Sequence, residues 1–197
     1  MRKGEATRAR IIQEAAQLAA LRGLTGVSLN DVAEAVALSK SGLFKHFDSK
    51  EDMHLAVVER VCDLFRERVW DPAADLPPGR PRLEKVFDCW LNWCEDDWPR
   101  SGCPIMALSV ELDDQPGPLR DRLHTQLQAF RKSVTREFFA LREPPLSEAE
   151  AQAAYFQTKS FVLGHADARR MMGDSDARRS ALAAFDSLLD RTARAAA

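Results

Sequence analysis

The chain has 197 residues, 45% hydrophobic and 29% charged, with a net charge of -2. That length buries a core without metal or disulfide staples, and that composition excludes the disordered and fibrous classes. No apolar run reaches the roughly 18 residues a membrane span needs, and Met1 to Glu5 lead straight into a helical pattern rather than a signal peptide. No membrane partner and a cytoplasmic location are therefore expected.

Cys62, Cys89, Cys94 and Cys103 lack Cys-x-x-Cys spacing, so reduced thiols are expected, with no metal and no cofactor. A zinc set of Cys89, Cys94, Cys103 and His124 fails because positions five apart on a helix point in different directions. Residues 1–50 hold eight Lys/Arg against five Asp/Glu, leaving twenty against twenty-five for the rest. The excess is small, but its sign suits an amino-terminal segment that faces nucleic acid.

Apolar residues recur at three and four along nearly the whole chain. In residues 7–22, Ile11, Ile12, Ala15, Ala16, Leu18 and Ala19 share a face, and Gly23 stops the helix. Ser28 opens a short second helix, with Asp31 as its capping-box acid and Leu29, Val32, Ala33 and Val36 turned inward. After "ALS", Ser39 caps a third short helix through "LSKSGLFKHF". Ser49 then starts a long helix on which Leu55, Val58, Cys62, Phe65 and Val69 repeat as far as Trp70-Asp71-Pro72. The Pro-rich run 72–81 reads as a linker.

Beyond it, Leu83, Val86, Phe87, Trp90, Leu91 and Cys94 make an aromatic-rich helix closed by Trp98-Pro99. A shorter helix spans Pro104 to Asp114, and "QPGP" breaks the chain again. Leu119 to Leu141 carry a long stripe, and two final helices run from Ser147 to about Met172 and from about Asp174 onward. The expected fold is all-α with about nine helices. Residues 1–48 are expected to form a three-helix amino-terminal domain and residues 49–197 a larger helical domain, joined to it by the helix from residue 49.

Two short helices joined by three residues, braced by a preceding helix, are the layout of a helix-turn-helix unit. Its apolar side is Leu29, Val32, Ala33, Val36 and Leu38, and Lys40, Ser41, Gly42, Lys45 and His46 are left to face DNA. Small residues at the start of the second helix let its amino end approach phosphates and base edges.

The stretch "GLTGVSLNDVAEAVALSKSGLFKHFDSKEDM", residues 23–53, resembles the DNA-binding domain of the TetR/AcrR family of bacterial transcriptional regulators. The resemblance implies phosphate contacts by Ser28 and Lys50, and base or phosphate contacts by Lys40, Ser41, Gly42, Lys45 and His46. Where this chain has Phe44, family members often carry a tyrosine whose hydroxyl reaches phosphate. Phe44 lacks that hydroxyl, which leaves it a packing role.

The resemblance further implies a homodimer through the last two helices and an inducer held between helices of the larger domain. Tyr155, Phe156, Val162, Leu163, Phe185, Leu188 and Leu189 are the candidate dimer residues. Phe87, Trp90, Trp93, Trp98, Met106 and Phe130 are the candidate cavity walls, with Asn92, His124 and Gln157 as polar handles for a hydrophobic or aromatic ligand. Cys103, as N-cap before Pro104, is a candidate redox or electrophile sensor, because a helix end favours thiolate.

The expected function is that of a ligand-responsive repressor, released from a palindromic operator in double-stranded DNA by a small-molecule inducer or by thiol modification. It is not expected to be an enzyme. The alternative is an all-helical enzyme or ligand-binding module using Cys103 chemistry without DNA binding, which leaves "LSKSGLFKHF" unexplained.

Overall fold

The computed structural model describes residues 3–96 and 103–194. Among the described residues nine α-helices follow one another without a strand. They are α1 (Lys3–Arg22), α2 (Leu29–Ala35), α3 (Lys40–Leu43), α4 (Lys50–Phe65), α5 (Arg80–Glu95), α6 (Pro104–Leu112), α7 (Pro118–Phe139), α8 (Glu148–Arg170) and α9 (Ala177–Ala193). None of the described helices is long and apolar enough to cross a membrane. The chain divides into two compact units, Met1–Leu64 with Asp97–Gln126 and Phe65–Asp96 with Leu127–Ala197. These boundaries differ from a cut at residues 48 and 49, because α6 joins the amino-terminal helices. Trp98 and Pro99 lie outside the described residues.

In the amino-terminal unit, Ile11, Leu24, Val27, Val32, Val36, Leu43, Phe47 and Met53 are buried, so the predicted inward faces of α1 and α2 do form a core. Ser28 caps α2 in a full capping box with Asp31, and the Ser39 hydroxyl accepts the Gly42 N–H at 3.0 Å to start α3. Between α2 and α3 Ala37 sits at φ 54°, a left-handed conformation that costs a residue with a Cβ about 1–2 kcal/mol. Two backbone bonds hold the turn there, Ala37 N–H to the Glu34 carbonyl at 3.1 Å and Leu38 N–H to the Ala33 carbonyl at 2.9 Å.

In the carboxy-terminal unit the segment after Phe65 is a π-helical turn, Arg66–Trp70, and then a 3-10 turn, Asp71–Ala73. A proline at 72 removes a donor and ends the regular helix earlier than the apolar repeat suggests. The Pro-rich run is pinned rather than loose. Arg82 donates to the carbonyls of Ala74 at 3.0 Å and Leu76 at 2.5 Å, and to the buried Glu137 carboxylate at 2.9 Å. Glu137 also accepts the Gly79 N–H at 3.0 Å. Gly79 is needed: its φ is +88°, and a Cβ there would meet the Ala140 carbonyl oxygen at 2.9 Å.

A second capping box, Ser147 with Glu150, starts α8. Helices α8 and α9 pack on each other, and Ala151, Ala154 and Val162 of the first and Ala177, Ala181, Phe185, Leu188 and Leu189 of the second are buried. Phe87 of α5 stacks on Phe185 with ring centroids 4.0 Å apart. Beside them Arg178 bonds Asp88, Asn92 at 3.0 Å and Glu95 at 2.9 Å, and Glu95 also meets the buried His165 at 2.9 Å.

Candidate nucleic-acid interface

The helix-turn-helix step leaves Lys40, Ser41 and Lys45 exposed and His46 partly so, while Leu43 and Phe47 are buried beneath them. Gly42 is half-buried instead of facing outward, and a Cβ on it would lie 3.2 Å from the Ser39 hydroxyl oxygen. Its role is therefore to let the cap close. The Ser41 hydroxyl lies 3.1 Å from that of Ser39.

Two of the expected phosphate contacts are already engaged within the unit. The Ser28 hydroxyl accepts the Asp31 N–H at 3.2 Å and donates to the Asp31 carboxylate. Those bonds, with the Ser28 N–H and Arg22, hold Asp31 below the usual carboxylate range. Lys50 donates from Nζ to the Thr25 carbonyl at 2.9 Å. Its ammonium stays at the surface, but it also ties the start of α4 to the turn before α2.

Phe44 corrects an expectation. It is 44% exposed, four residues from Lys40 and hence on the same face of the turn. Packing is done instead by Phe47, 1% exposed, over whose ring the Arg8 guanidinium lies at 4.7 Å.

The residues that hold this interface in shape were not visible in the sequence pattern. Glu111 of α6 accepts the Leu24 N–H at 2.7 Å, the Thr25 N–H at 2.6 Å and the Thr25 hydroxyl at 2.7 Å. Gly23 lies against this carboxylate with φ +82°, and a Cβ there would come within 3.3 Å of it. Burial works to raise the Glu111 carboxyl, but the bonds from Thr25 and Leu24 and the charge of His54 outweigh it and leave it below its ordinary value. His54, 3% exposed, donates from Nε2 to the Val27 carbonyl at 3.0 Å. Burial pushes its imidazole below the usual value; the Val27 bond opposes this, Lys50 adds to it, and Glu111 offsets part. The Arg10 guanidinium closes the other end of α2 on the Val36 carbonyl at 3.0 Å. An isolated Glu, His or Arg on an amphipathic helix carries no pattern that distinguishes such a clasp from a solvated charge.

The candidate ligand residues fall into separate groups. In the carboxy-terminal unit Trp90, Trp93 and Phe130 surround Phe65 in edge-to-face contacts, with centroids 5.7, 5.4 and 4.8 Å from its ring. Trp90 and Phe130 touch each other at 5.0 Å, and Trp70 reaches Phe130 at 6.5 Å. Phe65 and Trp70 were not among the sequence candidates. Phe87 is withdrawn from the set by its stack on Phe185, and Asn92 by its bond to Arg178. Gln157 is half-buried, with a 3.5 Å bond to the Ala153 carbonyl. Met106, half-buried, and His124, exposed, belong to the amino-terminal unit.

Cys103 is the N-cap of α6 and 4% exposed. Of the candidate dimer residues, Val162, Phe185, Leu188 and Leu189 are 3% exposed or less. They are spent on the chain's own core and leave nothing for a partner. Phe156, by contrast, is 71% exposed, and Tyr155 and Leu163 are half-buried.

Residues 11–57 match the family model of bacterial regulatory proteins of the tetR family, and residues 79–185 that of the tetracyclin repressor-like C-terminal domain. An HTH-type transcriptional regulator from the lacX 3' region of Lactococcus lactis is 26% identical over 68% of this chain and 69% of its own length. The repressor DhaR of a Mycobacterium strain is 27% identical over 61% of this chain, and the repressor NemR of Escherichia coli K12 25% over 59%; the chain spans 57% and 59% of their lengths. Among solved structures, a TetR-family regulator from Streptomyces coelicolor superposes with a TM-score of 0.83 at 17% identity, covering 96% of this chain and 97% of that one. AibR, solved with isovaleryl coenzyme A and operator DNA, gives 0.72 at 19% identity, covering 94% and 97%. These structural likenesses establish a shared fold.

Two outcomes are expected of the amino-terminal unit. Phe44→Ala should cost under about 1 kcal/mol in a urea melt, whereas Phe47→Ala should cost about 3–5 kcal/mol. Stability should also decline in acid. Below about pH 6.5 the unfolded chain protonates His54 while the fold resists it, and below about 4.5 the lowered carboxyl of Glu111 adds a second loss. Thermal melts from pH 8 to 3 should show both arms. Glu111→Gln should start about 1–2 kcal/mol less stable and lose its own share of the lower arm, leaving the share that the lowered carboxyl of Asp31 contributes.

Proposed function

Because the chain belongs to the tetR family of bacterial regulatory proteins, we propose that it represses transcription by occupying a palindromic operator as a homodimer, and that a hydrophobic or flat aromatic inducer releases it. The observation that carries this is the outward cation pair Lys40 and Lys45 on a helix-turn-helix whose apolar side is buried. Sequence-independent affinity comes from the phosphates such lysines neutralise, and register from the turn behind them. Two such units on a two-fold axis read half-sites about 34–36 Å apart, or a multiple of that spacing.

The aromatic cluster of Phe65, Trp90, Trp93 and Phe130 supports an inducer with a planar apolar body, because a ring inserted among them replaces the edge-to-face contacts it displaces with contacts of the same kind. Helix α4 carries Lys50, bonded to the helix-turn-helix unit, at its first turn and Phe65 at its last. Displacing Phe65 therefore acts on a helix whose other end fixes the DNA-reading turn, so the inducer favours a state whose recognition helices are misplaced. For the dimer the supporting surface is the outward side of α8 at Phe156, with Leu163 and Gly164 beyond it.

Release by thiol chemistry is the weaker route, since Cys103 is buried. Its alkylation should be slower than that of a free cysteine peptide, with no change in operator binding; faster reaction that releases DNA would replace the inducer reading with a thiol one. For the operator reading, Lys40→Ala with Lys45→Ala should abolish the mobility shift of the flanking promoter region at low salt. By fluorescence anisotropy, the salt dependence of any residual binding should fall by about 0.9 in slope for each phosphate contact removed. Wild-type protein that fails to shift that DNA overturns the proposal.

A further inference from the structure

Within the carboxy-terminal unit, α7 and α8 border a cavity of about 440 Å³ that takes no part in the aromatic cluster. Helix α7 supplies Arg131, Lys132, Thr135, Arg136 and Phe139, and Glu148 and Gln152 of α8 stand across from them. Three cations therefore face one carboxylate, and the Glu148 carboxylate is already engaged by the Gln152 amide at 2.8 Å. The Arg131 guanidinium lies over the Tyr155 ring, 6.0 Å from the centroid.

Thr135 is the second observation. It is 6% exposed, and its Oγ1 is buried with no hydrogen-bond partner. A helical threonine normally satisfies itself on the carbonyl four residues back. Thr125, Thr158 and Thr192 do so at 2.7–2.8 Å, and Ser133 on the same helix does so at 3.1 Å. A buried hydroxyl left unpaired costs about 1–3 kcal/mol, and Thr135 is among the residues that line a cavity rich in positive charge. Oγ1 itself has almost no accessible surface, so it meets an anion seated among the three cations by a turn about χ1 that brings the hydroxyl to the cleft.

We propose that this cleft binds an amphipathic carboxylate. The head group pairs with Arg131, Lys132 and Arg136 and accepts the Thr135 hydroxyl, and the apolar part lies on Phe139. A volume of this size suits a small organic ligand rather than a bare ion, and Phe139 gives the ligand's hydrocarbon somewhere to go. This proposal stands apart from the operator reading, because it concerns binding to the full-length protein whether or not DNA is bound.

Isothermal titration of the full-length protein with decanoate below its micelle concentration tests it, with 1-decanol and inorganic phosphate as comparison probes at low and high salt. Decanoate should bind saturably, more weakly at high salt, and more tightly than either comparison. Thr135→Val removes the hydroxyl at nearly constant volume, so the melting temperature should hold or rise while decanoate affinity falls about tenfold. The exposed Arg136→Ala should fold normally and lose at least as much. Absence of saturable decanoate binding overturns the proposal, including absence because a second copy covers the cleft. So does binding that both variants leave unchanged. Equal binding of 1-decanol removes the anion recognition, and equal binding of phosphate removes the apolar part.

Discussion

The DNA-reading unit depends on one buried-edge constraint: the turn between α1 and α2 must expose several backbone groups that no helix or strand can satisfy. Leu24 and Thr25 donate their N–H groups to Glu111, Thr25 offers its carbonyl to Lys50, and Val27 offers its own to His54. Of these, the Leu24 N–H and the Val27 carbonyl are withdrawn from water and would each cost as much as a lost hydrogen bond if unpaired, while Thr25 lies at the surface; three side chains from two later helices are thus committed to five residues of turn. Gly23 eases the approach, because its positive φ strains any residue with a Cβ, and that Cβ would lie 3.3 Å from the carboxylate and push it back by a few tenths of an ångström. The consequence is that α6 and the first turns of α7, remote in sequence, belong with the helix-turn-helix.

The same logic recurs in the carboxy-terminal unit with different parts. Glu137 is nearly fully buried, yet its two oxygens are taken by Arg82 and by the Gly79 N–H, which turns a proline-rich crossing into a fixed corner. Glu95 is shared between His165 and Arg178, so the ion pairs gather where α5, α8 and α9 meet. Buried charges persist only when paired and hydrogen-bonded. Against that economy, the Thr135 hydroxyl is a buried polar group with no partner among the described residues, as are Arg82 Nε, Arg142 Nε and His165 Nδ1.

Local signals in the sequence were readable because they act over three or four residues. The repeats of Ile11, Ala15 and Ala16, the capping box at Ser28 and Asp31, and the helix start at Ser147 all follow from helix geometry alone. The clasp of Glu111 on Leu24 and Thr25 spans 86 or more residues, and nothing local marks it. Phe44 misled for a related reason: an aromatic beside a buried Leu43 looks like core, and only the tight turn after α3 reveals that it faces out. Aromatic residues on α5 were likewise readable as buried but not as sorted, Phe87 toward Phe185 and Trp90 with Trp93 toward Phe65.

Helix α8 shows why an apolar stripe does not name its own partner. Ala151, Ala154, Thr158, Val162 and His165 point into the chain's core at helical spacing, while Phe156 and Leu163, with Ser160 and Gly164 between or beside them, lie on another side. Each set satisfies the three-and-four rule on its own side, so periodicity alone does not say which side faces the core. Burial separates them. Val162, with Phe185, Leu188 and Leu189 of α9, gives its apolar area to the fold. The residues that remain for a second copy are fewer and smaller than the stripe suggests, with Phe156 as the one large apolar anchor on that side of α8. Small neighbours such as Gly164 then matter more than additional hydrophobes, because a helix pair whose flanking residues are small brings its backbones close enough for a single aromatic to be enclosed.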